Sequence, residues 1–192
     1  ARVENALEEL SAIAGRPLPF AAGFATGVDD LTSRALRAEA AALAAEVEVA
    51  VVFLGLDDSE ESEGFDREHI DLSAAQLDLL DAVLEANPRT VVVLSCGSVV
   101  ALPFADRVPA LLAGWLLGQS GGGAIADVLY GRAEPTGRLA ESIPVRIEDS
   151  CAFGNFPGAH GHVRYGEGLL VGYRWYDTRD LPVAFPFGHG LG

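Results

Sequence analysis

Two stretches, Val49–Gly55 and Thr90–Ser95, carry no charged residue and no alternation of polar with apolar side chains. A strand with one wet face alternates, so runs of this kind fit strands covered on both faces. Between them lies Ser73–Asn87, with Leu77, Leu80, Val83 and Leu84 at helical spacing, a capping serine at its start and Asn87-Pro88 to stop it. Parallel neighbours need a crossover connection, and a strand, a helix and a second strand supply one. The expected architecture is α/β: a three-layer α/β/α sandwich around a mostly parallel sheet.

The pattern extends in both directions. Glu4–Ala14 places Ala6, Leu7, Leu10, Ile13 and Ala14 on a helical face that Gly15 and Pro17 end, and Leu18–Phe24 reads as a short strand. Asp29-Asp30 caps an alanine-rich helix from Leu31 to about Glu46, which leads into a strand over Val47–Gly55. After Thr90–Ser95 come Cys96-Gly97-Ser98, a strand over Pro109–Leu117 and a helix over Gly121–Tyr130. Beyond Gly131 the chain turns to glycine, proline and aromatic residues, which predicts a wrapped C-terminal segment of turns and short strands, not a second core. No repeat or low-complexity linker divides the chain, so one domain over residues 1–192 is the simplest organisation.

A hydrophobic fraction of 49% supports a sizeable core, and no apolar run approaches a membrane span. The net charge of −15 excludes nucleic acid and anionic membrane as expected partners, since phosphates must be met by clustered cations. Every basic residue is arginine, which removes Schiff-base chemistry and a phosphate-loop lysine. Cys96 and Cys151 form no disulfide framework and lack zinc spacing, and they do not decide the compartment. The expectation is a soluble, cytoplasmic protein without cofactor or metal. The start at Ala1, without methionine or leader pattern, reads as an excised or processed piece.

Chemistry concentrates in Asp57–Arg67, where the sequence Asp-Asp-Ser-Glu-Glu-Ser-Glu-Gly-Phe-Asp-Arg leaves the carboxyl end of a predicted strand, the place where open parallel sheets bind ligands. A solvated charge run is one reading of this loop. Gly64, Phe65 and the Asp66-Arg67 pair stand against it, since they suit a loop of fixed shape, but on residue types alone the solvated run is the favoured reading. Calcium spacing fails: with Gly64 at the sixth position, Ser59, Glu61 and Glu63 fall on ligand positions, but Arg67 and Ile70 stand where a ligand and the closing glutamate are needed. Gly118-Gln119-Ser120-Gly121-Gly122 matches the pattern of a nucleophile elbow, with Ser120 as nucleophile and His160, His162 or His189 as base. A glycine turn that starts a helix close to the sheet is the favoured reading, because no His-Gly-Gly-type oxyanion loop lies upstream. His160-Gly161-His162 lacks a third metal ligand at workable spacing. Tyr165, Tyr173, Trp175, Tyr176, Phe185 and Phe187 fit either a sugar platform or a cover over a sheet edge.

Taken in order, Glu61-Ser62-Glu63-Gly64-Phe65-Asp66-Arg67, Asn87-Pro88-Arg89-Thr90-Val91-Val92-Val93-Leu94, Gly118-Gln119, Ala124–Gly131, Pro135-Thr136-Gly137-Arg138-Leu139, Tyr165-Gly166-Glu167-Gly168, Val171–Arg174 and Phe185–Leu191 resemble the C-terminal α/β sandwich domain of family-3 glycoside hydrolases of the bacterial β-glucosidase type. The resemblance runs from about Val47 to the end. It implies an N-terminal (β/α)8 barrel in the parent protein that supplies a nucleophilic aspartate, a small β-glycoside or oligosaccharide substrate, and retaining hydrolysis. The acid/base carried over by position is Glu63, with Glu61 as the alternative two residues earlier; Phe65 is the implied substrate contact. Neighbouring carboxylates and burial are expected to raise the Glu63 pKa, as such an acid requires.

The sequence departs from the family pattern at several points. The barrel and its aspartate are absent, and a first sandwich strand ahead of Ala1 is missing, which predicts an exposed sheet edge. Ser120 stands where the family has an acidic residue, and Val99 and Ala140 where it has proline. Two further readings compete: a non-enzymatic sugar-binding or docking module, and a serine hydrolase using Ser120.

Overall fold

The computed structural model describes residues 3–64 and 66–191. They form two compact units, the first comprising Ala1–Asp66, Leu72–Ser98 and Phe104–Glu134, the second Arg67–Asp71, Val99–Pro103 and Pro135–Gly192.

The first unit is α/β. Its helices are α1 (Ala6–Ala14), α2 (Asp30–Glu46), α3 (Ala74–Ala86) and α4 (Gly121–Leu129), and its strands β1 (Ala50–Gly55), β2 (Thr90–Ser95) and β3 (Ala110–Ala113). The strands form a parallel sheet in the order β1-β2-β3, with Val52 opposite Val92 and Val92 opposite Leu111. Val92 and Val93 point to opposite faces and both are fully buried, so the centre of the sheet is dry on both sides, as its unbroken apolar run requires.

Helices α2 and α3 pack together, and α3 touches β1, which buries Ala50, Val52 and Leu54. On the other face Ile125 of α4 and the Val93 side chain converge beside Gly114, and α4 packs on α1. Helix α1 is capped by Asn5, whose Oδ1 accepts from the Leu7 N–H at 2.9 Å. The capping pattern read at Asp29 also holds: its carboxylate accepts from the Thr32 N–H at 2.8 Å, and that bond holds its pKa below the usual carboxylate range.

Two polar residues fasten this layer. Asn87, buried, donates from Nδ2 to the Ala44 and Val47 carbonyls, both at 2.9 Å, and its Oδ1 accepts from the Arg89 N–H. It ends α3 and at the same time satisfies carbonyls at the exit of α2. Gln76, on the buried face of α3, accepts from the Gly55 N–H at 2.9 Å and donates to the Gly55 carbonyl at 2.7 Å. Because the Leu56 N–H bonds to the Ser95 carbonyl, the Gly55 peptide groups point away from β2, and Gln76 covers them at the sheet edge.

Three expected elements differ. Leu18–Phe24 forms no strand: Pro17 and Pro19 withhold donors, no neighbouring strand pairs with it among the described residues, and Phe20 is exposed. The strand expected over Pro109–Leu117 contracts to Ala110–Ala113, because Trp115 takes a left-handed conformation (φ 54°) that breaks an extended run. The start of β1 moves from Val47 to Ala50.

In the second unit, β4 (Ile143–Pro144) pairs antiparallel with β5 (Val183–Phe185), and α5 (Tyr173–Arg179) replaces the turns expected there. Side chains knit the rest. Trp175 Nε1–H donates to the Asp149 carbonyl at 2.9 Å, Ser142 Oγ accepts from the Phe187 N–H at 3.0 Å, and Arg138 donates to the Gly190 carbonyl. Arg146 Nε meets both oxygens of the buried Asp149 carboxylate at 3.1 Å. No helix among the described residues is long and apolar enough to cross a membrane.

Candidate functional site

The carboxyl end of the parallel sheet is shaped by three segments of the first unit: the loop after β1, the turn after β2 and the turn after β3. Immediately past β1 the acidic loop folds back on itself. The Asp57 carboxylate accepts from the Ser59 N–H at 2.8 Å and from the Ser59 hydroxyl, and those bonds hold its pKa below the usual carboxylate range. The Glu60 and Glu61 N–H groups both donate to the Asp57 carbonyl, at 3.0 and 2.9 Å. One tight turn thus brings Glu61 back over the sheet.

The Glu61 side chain crosses to the turn after β2. Oε2 accepts from the Gly97 N–H at 2.7 Å and Oε1 from the Ser98 hydroxyl at 3.3 Å. Gly97 is glycine for a reason of space: a Cβ there would lie 2.7 Å from Glu61 Oε1 and 2.9 Å from Leu116 Cδ1. Two residues on, Glu63 lies in an exposed turn with Gly64 (φ 99°), and its carboxylate makes no hydrogen bond or ion pair among the described residues. Of the two candidate carboxyls, one is engaged by backbone and hydroxyl donors and the other is presented to solvent. Phe65 lies outside the described residues. Arg67, assigned to the second unit, donates from Nη2 to the Val99 carbonyl at 2.9 Å.

Gly97 and Ser98 carry no motif, and the sequence assigns them no role. The available signal was position: Cys96-Gly97-Ser98 follows a parallel strand at its carboxyl end, beside the loop that follows the neighbouring strand.

The other candidates lose their chemical context. Ser120 is exposed at the start of α4, and β3 ends at Ala113, so no sharp strand-to-helix elbow presents its hydroxyl. The glycines around it serve packing instead. The Glu4 carboxylate accepts from the Gly123 N–H at 2.9 Å, and a Cβ on Gly122 would strike the backbone of Glu4, Asn5 and Ala6 at 2.9–3.0 Å. His160 and His162 occupy the tip of a turn in which Ala159 and His162 exchange backbone hydrogen bonds. No group of three or more His, Cys, Asp or Glu side chains among the described residues is placed to hold a metal ion.

The aromatic residues divide. Tyr173 stacks on Phe187 with ring centres 4.9 Å apart, and both remain partly exposed. Trp175 is half-buried beneath the Arg179 guanidinium, 3.7 Å from its ring centre. Burial, with Cys151, Glu141 and Asp149 nearby, pushes the Tyr176 phenol up to about 12. Tyr165 stands out into solvent. Two open clefts of the first unit, about 440 and 250 Å³, are lined by Asp81, Leu84 and Arg107 and by Glu9, Asp127 and Arg132; neither includes the acidic loop.

The sheet, the loop at its carboxyl end and the glycine-paced segment after it are the features of one family, and residues 2–192 match the glycosyl hydrolase family 3 C-terminal domain. The chain belongs to that family. Among its relatives, it is 49% identical over 173 residues to an exo-α-(1→6)-L-arabinopyranosidase of Bifidobacterium breve, covering 90% of this chain and 23% of the relative. It is 43% identical over 192 residues to thermostable β-glucosidase B of Acetivibrio thermocellus, covering 99% and 25%. A crystal structure of a family-3 β-glucosidase from Bifidobacterium adolescentis superposes with a TM-score of 0.92 at 46% identity, over 100% of this chain and 28% of that one. The chain therefore spans about a quarter of the length of these relatives.

Proposed function

We propose that this chain is the sandwich-domain half of a retaining glycosidase and that Glu63 is its acid/base. The observation that carries the assignment is the contrast within the loop. Glu61 spends both oxygens on Gly97 and Ser98, whereas Glu63, two residues later, is exposed at the carboxyl end of a parallel sheet. The relatives' names, β-glucosidase and arabinopyranosidase, support an O-glycoside as substrate.

Retaining hydrolysis requires two carboxyl groups about 5–5.5 Å apart, one to attack the anomeric carbon and one to protonate the leaving oxygen and then deprotonate water. This chain supplies the second. The first is an aspartate of an N-terminal barrel in the parent protein, which also builds most of the pocket for the sugar. As one domain of that protein, the 192-residue chain alone hydrolyses no aryl β-glycoside, since the missing nucleophile leaves most of the barrier in place.

The test is made on the full-length parent. Glu63→Ala should slow glycosides with poor leaving groups by about 10²–10⁴-fold, spare those with activated leaving groups, and be partly rescued by azide. Unchanged activity in Glu63→Ala, or an equal loss on all substrates, removes Glu63 from the role.

A further inference from the structure

We propose that Glu61 is a positioning residue for this reaction, a latch that holds the Glu63 loop against the turn after β2. The proposal rests on the assignment of Glu63 above. Its geometry is independent of that assignment: a carboxylate on one loop accepts hydrogen bonds from an N–H and a hydroxyl 36 and 37 residues away. Bonds from charged acceptors to backbone N–H groups are among the stronger ones available to a loop.

Three features make the contact a built socket. Gly97 leaves room that a methyl group would fill, with Leu116 closing the side. The turn at Asp57 fixes the Glu61 backbone through its own N–H, so the side chain is aimed before it binds. Glu61 is half-buried where its neighbours Ser62, Glu63 and Gly64 are exposed.

The consequence for Glu63 is a short tether. Two residues of extended chain span at most about 7 Å, so the latch confines the Glu63 backbone to that radius. A general acid must come within hydrogen-bond reach of the leaving oxygen, and a displacement near 1 Å can cost about 10²-fold. Release of the latch would leave the carboxyl present but misplaced.

The experiment uses the full-length parent and two aryl glycosides, one with a poor and one with an activated leaving group. Glu61→Ala should lower kcat/KM on the first by about tenfold or more relative to the second. Glu61→Gln keeps an oxygen to accept from the Gly97 N–H and should stay within about threefold of the parent. Gly97→Ala, which displaces the carboxylate without removing it, should repeat the Glu61→Ala pattern, and so keeps the test open if Glu61→Ala does not fold. Amide exchange at Gly97 should speed up in Glu61→Ala, a readout that needs no activity. Unchanged exchange at Gly97, or equal losses on both substrates, overturns the latch. A Glu61→Gln enzyme that loses its acid limb and recovers with azide overturns it differently, by making Glu61 the acid. Glu63→Ala run in parallel separates the two claims: if it shows no leaving-group dependence while the Gly97 exchange behaves as expected, the role of Glu63 fails and the contact stands.

Discussion

The two compact units hold their backbones in different ways. In the first, parallel strands and helices satisfy peptide groups by repetition, and Val92, Val93 and Leu80 disappear from solvent between them. In the second, the work falls to single side chains: Ser142 to Phe187, Trp175 to Asp149, Arg146 to Asp149, Arg138 to Gly190. A repeated apolar pattern tolerates exchange of one aliphatic residue for another of similar volume, whereas a side chain that satisfies one particular peptide group has no such substitutes. The first unit should therefore be sensitive to volume and the second to chemical identity.

The largest effect should come from Leu80→Ala. It removes a fully buried side chain from α3 and should cost about 2–5 kcal/mol in a denaturant titration. A loss under about 1 kcal/mol would mean that the first unit is held by its polar fasteners after all. Gln76→Leu comes next. It keeps the volume but leaves the Gly55 peptide groups without their partner, and should cost about 1–3 kcal/mol, with faster amide exchange at Gly55. A neutral result there would erase the distinction between volume and identity inside the first unit itself.

The smallest effect at neutral pH belongs to Tyr176. Its phenol is raised to about 12 when folded, against about 10 when unfolded, so the folded state keeps the proton longer. The stability from the buried neutral phenol is complete below pH 10 and is lost as pH rises through 10 towards 12. Tyr176→Phe should flatten the alkaline fall in melting temperature and change little at pH 7. An unaltered alkaline limb would show that the phenol is not the group that senses pH in the second unit.

What the sequence made legible follows the same division. The unbroken runs at Val49–Gly55 and Thr90–Ser95 and the helical spacing of Ser73–Asn87 identified the parallel sheet and its layers, since burial on two faces leaves a mark in composition. The resemblance then named the family correctly. Helix α5 escaped because Tyr-Arg-Trp-Tyr has modest helix propensity and sits among glycines that read as turns. Leu18–Phe24 looked like a strand because its residues suit one, but a strand exists only with a neighbour to pair with. Asn87 appeared only as a helix stop and Gln76 had no reading of its own; their bonds to Gly55, Ala44 and Val47 involve residues 21 to 43 positions away. The contact of Glu61 with Gly97 and Ser98 was invisible for the same reason. The resemblance narrowed the acidic loop to two glutamates, and of the two it is Glu61 that accepts from the Gly97 N–H.

The bond from Glu4 to Gly123 closes a separation of 119 residues, the longest among the side-chain hydrogen bonds described. Helices α1 and α4 therefore lie at the two ends of the first unit's chain, while β1, α3 and β2 complete their contacts within one continuous stretch. At translation rates of about 5–20 residues per second, α1 leaves the ribosome several seconds before the helix that receives it exists. During that interval its apolar face, Leu7, Leu10 and Ile13, has nothing to pack on from α4. The central crossover can be in place first, and α1 docks when Gly122 and Gly123 emerge with room for it.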